Sequence, residues 1–122
     1  VDGENAIPGP TETAARPVCP EFHQAVELIG RRWTGAILFA LCEGPCRFGE
    51  LSESVPGVSD RLLSCRLREL EGEGIVTRSV SAGSPVRVAY ELTAKGQALG
   101  PAIDELRDWA QSWVGQRTSR SS

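Results

Sequence analysis

Four cysteines and a single histidine are the residues of this 122-residue chain most suited to redox or metal chemistry. Cys19 stands directly before Pro20 and a helical pattern, so it falls at a helix N-terminus, where the dipole favours the nucleophilic thiolate. That makes it a candidate redox sensor, against the plainer role of a helix cap without redox function. Cys42 and Cys46 are spaced Cys-x-x-x-Cys across Gly44-Pro45. A tetrahedral site there would need two further ligands, for which Cys19 and His23, one helical turn apart, are the candidates. The plainer reading makes Cys42 a small hydrophobe and His23 a surface residue, and no metal is assigned. Paired acids, a Ser-His-Asp set and a Gly-rich phosphate loop are all absent from the sequence, so no enzyme, catalytic residue or cofactor is expected.

Duplex recognition is better supplied. Arginine can make two hydrogen bonds to one guanine in the major groove. Leu63, Leu67 and Leu70 recur at i, i+4 and i+7, which sets one inward stripe on a helix. At about 100° per residue, Arg61, Cys65, Arg68 and Gly72 then point outward, with Ser64 and Glu69 at the edges. Ser59 suits the N-cap, and Asp60 suits the first-turn amides. The plainer reading pairs Arg61 and Arg68 with acids such as Glu71.

The elements that must position these residues follow from periodicity. Residues 1–18 hold three of the eight prolines and almost no large apolar side chain, which predicts a disordered tail. Phe22, Ala25, Val26 and Ile29 mark a first helix ending at Gly30. A second runs from about Trp33 to Cys42 and is apolar on nearly every side, which predicts the most buried helix. Cys46-Arg47-Phe48 is a connecting strand at most. Phe48, Leu51 and Val55 mark a short third helix, broken by Pro56-Gly57, and the fourth follows from Ser59. Short helix, tight turn and longer helix make a helix-turn-helix. Residues 75–80 read as a strand and 86–92 alternate as a second, around a loop at Ser81–Pro85, which makes a β-hairpin wing. Arg78 and Arg87 in it suit phosphate or minor-groove contact, with Ser59, Arg61, Ser64, Cys65 and Arg68 as the reading set. Arg31, Arg32 and Arg47 are weaker phosphate candidates. Thr93 caps a last helix, interrupted by Gly100-Pro101, whose Leu99, Ile103, Leu106, Ala110 and Trp113 keep heptad-like spacing beside Trp109. A polar tail over 115–122 closes the chain.

Several of these features stand in one order: Cys19-Pro20, Ile29-Gly30-Arg31-Arg32-Trp33, Arg47-Phe48-Gly49-Glu50-Leu51, and Pro56-Gly57-Val58-Ser59. Leu67-Arg68-Glu69-Leu70-Glu71, Gly74-Ile75-Val76, Tyr90-Glu91-Leu92-Thr93 with Gly96, and Trp109 complete the series. Over residues 19–114 the chain closely resembles the HxlR family of bacterial winged helix-turn-helix transcription regulators. The resemblance implies a homodimer built through the first and last helices, here through Phe22, Val26, Ile103, Leu106, Trp109 and Trp113. It implies the fourth helix as reader and, in some members, sensing of oxidants or electrophiles by the cysteine that is Cys19 here. Other members respond to metabolites. Cys65 stands where some members carry lysine or glutamine.

Composition sets the bounds. A net charge of −3 argues against coating nucleic acid non-specifically. The charge is segregated, however, and residues 76–90 contain two arginines and no acid. The longest apolar run, Ala36–Cys42, has seven residues, against the ~20 that cross a bilayer. No membrane partner and no secretion signal are expected, and the thiols are expected to be reduced in the cytoplasm. The fold expected is α+β and mainly helical: a winged helix-turn-helix domain over 19–114, with N- and C-terminal dimerisation helices. The function expected is a homodimeric transcription regulator on a near-palindromic duplex, with a small-molecule or oxidant effector. The rivals are a winged helix that binds only protein, and a thiol or metal sensor built on Cys19, His23, Cys42 and Cys46.

Overall fold

A computed structural model describes residues 16–121, with side chains to residue 115. Most of the tail expected over 1–18, and Ser122, lie outside the described residues. The chain divides into one unit ending at Gly30 and a second beginning at Arg31.

The first unit contributes α1, Pro20–Ile29. Proline's fixed φ suits the first helical position, and the Cys19 sulfur accepts the Phe22 N–H at 3.3 Å. None of its residues is buried.

The second unit starts with α2, Thr34–Cys42, entered through Trp33, a non-glycine residue at φ +78°. Ile37, Leu38, Leu41 and Thr34 are buried, but Ala36, Phe39 and Cys42 are exposed. The helix expected to be buried all round is therefore covered on one face only. The reason is that α3, α6 and β2 supply its contacts, while Phe39 meets the guanidinium of Arg107 at 5.8 Å. α3, Phe48–Ser54, buries Leu51 completely, and Glu50 Oε1 accepts the Arg47 N–H at 2.7 Å to satisfy its first turn. Val55 and Val58 anchor the turn that follows.

Gly57 in that turn has φ +96°, and an added Cβ would lie 3.2 Å from the Trp33 ring. Both conditions call for glycine. Gly57→Ala is expected to cost about 1–3 kcal/mol of stability, measured by denaturant unfolding. A loss within error would show that neither the conformation nor the ring contact constrains the turn.

Ser59 Oγ accepts the Leu62 N–H at 3.1 Å and opens α4, Asp60–Gly72. Its Leu63, Leu67 and Leu70 are all buried, as the stripe requires. Gly74, at φ +75°, ends the helix, and Ile75 N–H returns to the Leu70 carbonyl at 2.9 Å. β1 (Val76–Ser81) and β2 (Arg87–Leu92) pair antiparallel from Val76↔Leu92 to Ser81↔Arg87. Cys46 exchanges two backbone hydrogen bonds with Tyr90, so the connecting stretch is a one-residue bridge at the base of the wing.

Past the wing, the single interrupted helix expected is two. α5, Ala94–Gln97, is capped by Thr93, and α6 runs from Gly100 to Ser121 with Pro101 in its first turn. α6 continues through the segment expected as a polar tail, since no proline after Pro101 breaks it. Gly96 sits against the Ile75 carbonyl where a Cβ would collide, and Lys95 Nζ donates to the Glu73 carbonyl at 2.7 Å. These contacts dock α5 against the end of α4. Among the described residues no helix is long and apolar enough to cross a membrane.

Candidate nucleic-acid interface

The face of α4 opposite the leucine stripe carries the expected reading set. Arg61 and Arg68 are exposed, Ser64 and Cys65 half-buried at the edge. Pairing of these arginines with local acids is not what the structure shows. Arg61 makes no side-chain hydrogen bond or ion pair among the described residues, and the contact of Arg68 is its Nη2 at 3.9 Å from the Cys65 sulfur. Both charges remain available to an anion. Asp60 lies in the first turn of α4, as expected, and its Oδ1 also accepts from the Ser52 hydroxyl at 3.4 Å, which ties α3 to α4 across the turn. Ser59 is exposed, and its hydroxyl oxygen is already engaged in capping.

On the wing, Arg78 and Arg87 are exposed, and neither side chain has a partner among the described residues. Arg78 pairs in register with Tyr90, and Arg87 with Ser81. Because side chains alternate along a strand, the two arginines project from opposite faces of the ribbon. The Arg87 N–H donates to Ser81 Oγ at 3.2 Å, which closes the last rung of the wing.

The weaker phosphate candidates are sorted by their contacts. Arg31 Nη1 lies 3.1 Å from Glu69 Oε2, and the Arg32 guanidinium stacks 4.7 Å over the Trp33 ring. Arg47 makes no side-chain ion pair among the described residues. Arg66 was not singled out from the sequence, although its i,i+3 spacing to Glu69 was a signal for an ion pair. Its Nε donates to the Arg32 carbonyl at 2.9 Å, and its Nη1 meets Glu69 Oε2 at 3.2 Å.

The thiols separate chemically. Cys19 is exposed, with its sulfur receiving a helix N–H. Desolvation, then the carboxylates of Asp104 and Glu43, push the Cys42 thiol up from its ordinary value. Desolvation and Glu50 do the same to Cys46, whose sulfur lies 3.5 Å from the Gly44 carbonyl. Raised thiols stay protonated and are poor nucleophiles. His23 pairs with Glu27 at 3.5 Å on the surface of α1. Among the described residues no three His, Cys, Asp or Glu side chains gather where they could hold a metal ion.

The apolar residues expected at a dimer interface fall into two groups. Phe22 and Val26 on α1, and Leu106, Trp109 and Trp113 on α6, are all more than half exposed. Ile103 is instead 6% exposed, so it already belongs to the core of the single chain.

Comparison with known proteins agrees with this architecture. A family model described as HxlR-like helix-turn-helix matches residues 28–118. The HTH-type transcriptional regulator YvaP of Bacillus subtilis is 45% identical over 97 residues, covering 80% of this chain and 90% of YvaP. YodB of B. subtilis in its reduced form superposes with a TM-score of 0.72 at 42% identity, covering 80% of this chain and 95% of YodB. It is also known in diamide-treated and quinone-bound forms. The redox regulator HypR in its oxidised form gives a TM-score of 0.72 at 35% identity, over 77% of this chain and 96% of HypR. Such relatives are transcription regulators, not enzymes.

Proposed function

The chain belongs to the HxlR-like helix-turn-helix family of transcription regulators, and on that premise we propose that it is a homodimer reading a near-palindromic duplex in the cytoplasm. The observation that carries this is an arginine face without acid partners among the described residues. Arg61 and Arg68 on α4 lie in the same unit as a wing whose two arginines are unpaired among the described residues. Arg61, with Ser59, Ser64, Cys65 and Arg68 around it, enters the major groove and reads base edges. Arg78 and Arg87, on opposite faces of the ribbon, take phosphates and set affinity and register. Phe22, Val26, Leu106, Trp109 and Trp113 support a dimer, because exposed rings of this size ordinarily find a partner surface. Two sets of guanines about one helical turn apart, ~34 Å, are expected to be protected from dimethyl sulfate methylation at N7 in the DNA beside its own gene. A single isolated set on a binding fragment would contradict the dimer.

Cys19 is the proposed trigger. It is exposed and capped onto a helix N-terminus, whereas Cys42 and Cys46 are held protonated. The diamide and quinone forms of YodB and the redox role of HypR support the same chemistry. A mild oxidant or quinone is expected to change DNA affinity in the wild type and leave Cys19→Ser unmoved, as read by fluorescence anisotropy. An equal response in the variant would assign the signal elsewhere.

A further inference from the structure

We propose that Arg66 and Glu69 are positioning residues of the reading helix: they clamp α4 to the segment Arg31–Trp33 and do not themselves touch DNA. This rests on the DNA-reading role given above to the outward face of α4, on whose edge Glu69 lies.

The clamp has three connected contacts. Arg66 Nε donates to the Arg32 carbonyl at 2.9 Å, while its Nη1 lies 3.4 and 3.2 Å from the two Glu69 oxygens. Glu69 Oε2 also takes Arg31 Nη1 at 3.1 Å. One carboxylate thus joins two guanidiniums, one of which also bonds the backbone of the same segment. Arg66 is the most enclosed of the three, with its side chain 18% exposed. The segment is gripped a second time at Trp33, whose ring lies against Gly57 in the turn and also carries the Arg32 guanidinium. Its chain direction there is unusual, since Trp33 holds φ +78°. Residues 31–33 therefore touch both the turn and the middle of the reading helix.

Such a clamp complements the leucine stripe. Burial of Leu63, Leu67 and Leu70 fixes which face of α4 turns inward, but apolar attraction is non-directional and holds small rolls about the axis only weakly. Charge-assisted hydrogen bonds are directional. A two-bond arginine contact tolerates only about 10–20° of misorientation, so a small roll of α4 would spoil the reach of Arg61. The cations of α4 divide accordingly: Arg61 and Arg68 are open to the duplex, and Arg66 is spent inside the protein.

The test has an informative sign. Glu69→Ala removes a negative charge from the reading helix, so electrostatics alone predicts tighter DNA binding. The clamp predicts the reverse, about fivefold weaker binding, since contacting residues in one network couple strongly. Arg66→Ala should weaken binding about tenfold with the salt dependence of log K unchanged, whereas losing a phosphate contact lowers that slope by about one. The double variant should bind no more weakly than Arg66→Ala alone. Thermal melts identify any variant that fails to fold, and Glu69→Ala, altering a carboxylate one-third exposed, then decides the matter. Tighter binding by Glu69→Ala, or a slope reduced by one in Arg66→Ala, would overturn the clamp. A wild-type protein that binds no duplex would remove the reading role, and the clamp with it.

Discussion

Arg61→Ala is expected to bind the operator about 1–3 kcal/mol more weakly, roughly 5- to 150-fold, and to lose its preference at one base position. Arg61 lies in the first turn of α4, where reading residues of a helix-turn-helix reach base edges, and its guanidinium is neutralised by nothing among the described residues. Removing it should therefore subtract a contact to DNA and release nothing inside the protein. A binding-site selection with wild type and variant separates the two parts of the effect. Weaker binding with an unchanged base profile would make Arg61 a phosphate contact.

Leu67→Ala should act through the fold. Leu67 is 1% exposed at the centre of the α4 stripe, between Leu63 and Leu70. Truncating a buried leucine loses its transfer free energy and leaves a cavity, together about 2–5 kcal/mol. For a domain of this size that lowers the melting temperature by roughly 10–20 °C. Arg68→Ala, one residue further on and exposed, should shift stability by no more than about 0.5 kcal/mol. This contrast between adjacent positions tests the inward and outward faces independently of any DNA. A melting temperature of Leu67→Ala within about three degrees of wild type would place Leu67 at a surface.

Much of this was legible in the sequence because the informative patterns are local. Leu63, Leu67 and Leu70 repeat at helical spacing, Pro56-Gly57 interrupts, Ser59 caps, and two strands flank a short loop. Each follows from chain geometry over a few residues, and each appears in the structure, with Ser81 placed in the first strand and not in the loop. What escaped depends on distant partners. Arg66 is ordinary in sequence, and its role appears only when Arg32, thirty-four residues earlier, is brought to its Nε. The hydroxyl that Ser52 gives to Asp60, eight residues later, comes into view only when α3 and α4 are packed together. Ile103 shared a heptad-like seam with Leu106 and Trp113, yet the contact between α2 and α6 buries it while leaving the others open. The apolar composition of α2 said nothing of the exposed side that carries Phe39.

The opposite faces of the wing were within reach of the sequence, since alternation alone separates Arg78 from Arg87 once their register is fixed. That register depends on where the loop closes, which neither strand specifies by itself. Pairing Ser81 with Arg87 settles it.

The most direct test is the affinity of the reduced protein for a duplex carrying its operator, measured across a series of salt concentrations. If arginines of α4 and the wing meet phosphates and bases, log K should fall linearly and steeply with log salt, by about 0.9 per phosphate neutralised. The slope should lessen by about one for each subunit's contact when Arg78 or Arg87 is replaced by alanine. Binding that is absent at low salt, or that does not respond to salt at all, would contradict a DNA-reading role for this surface.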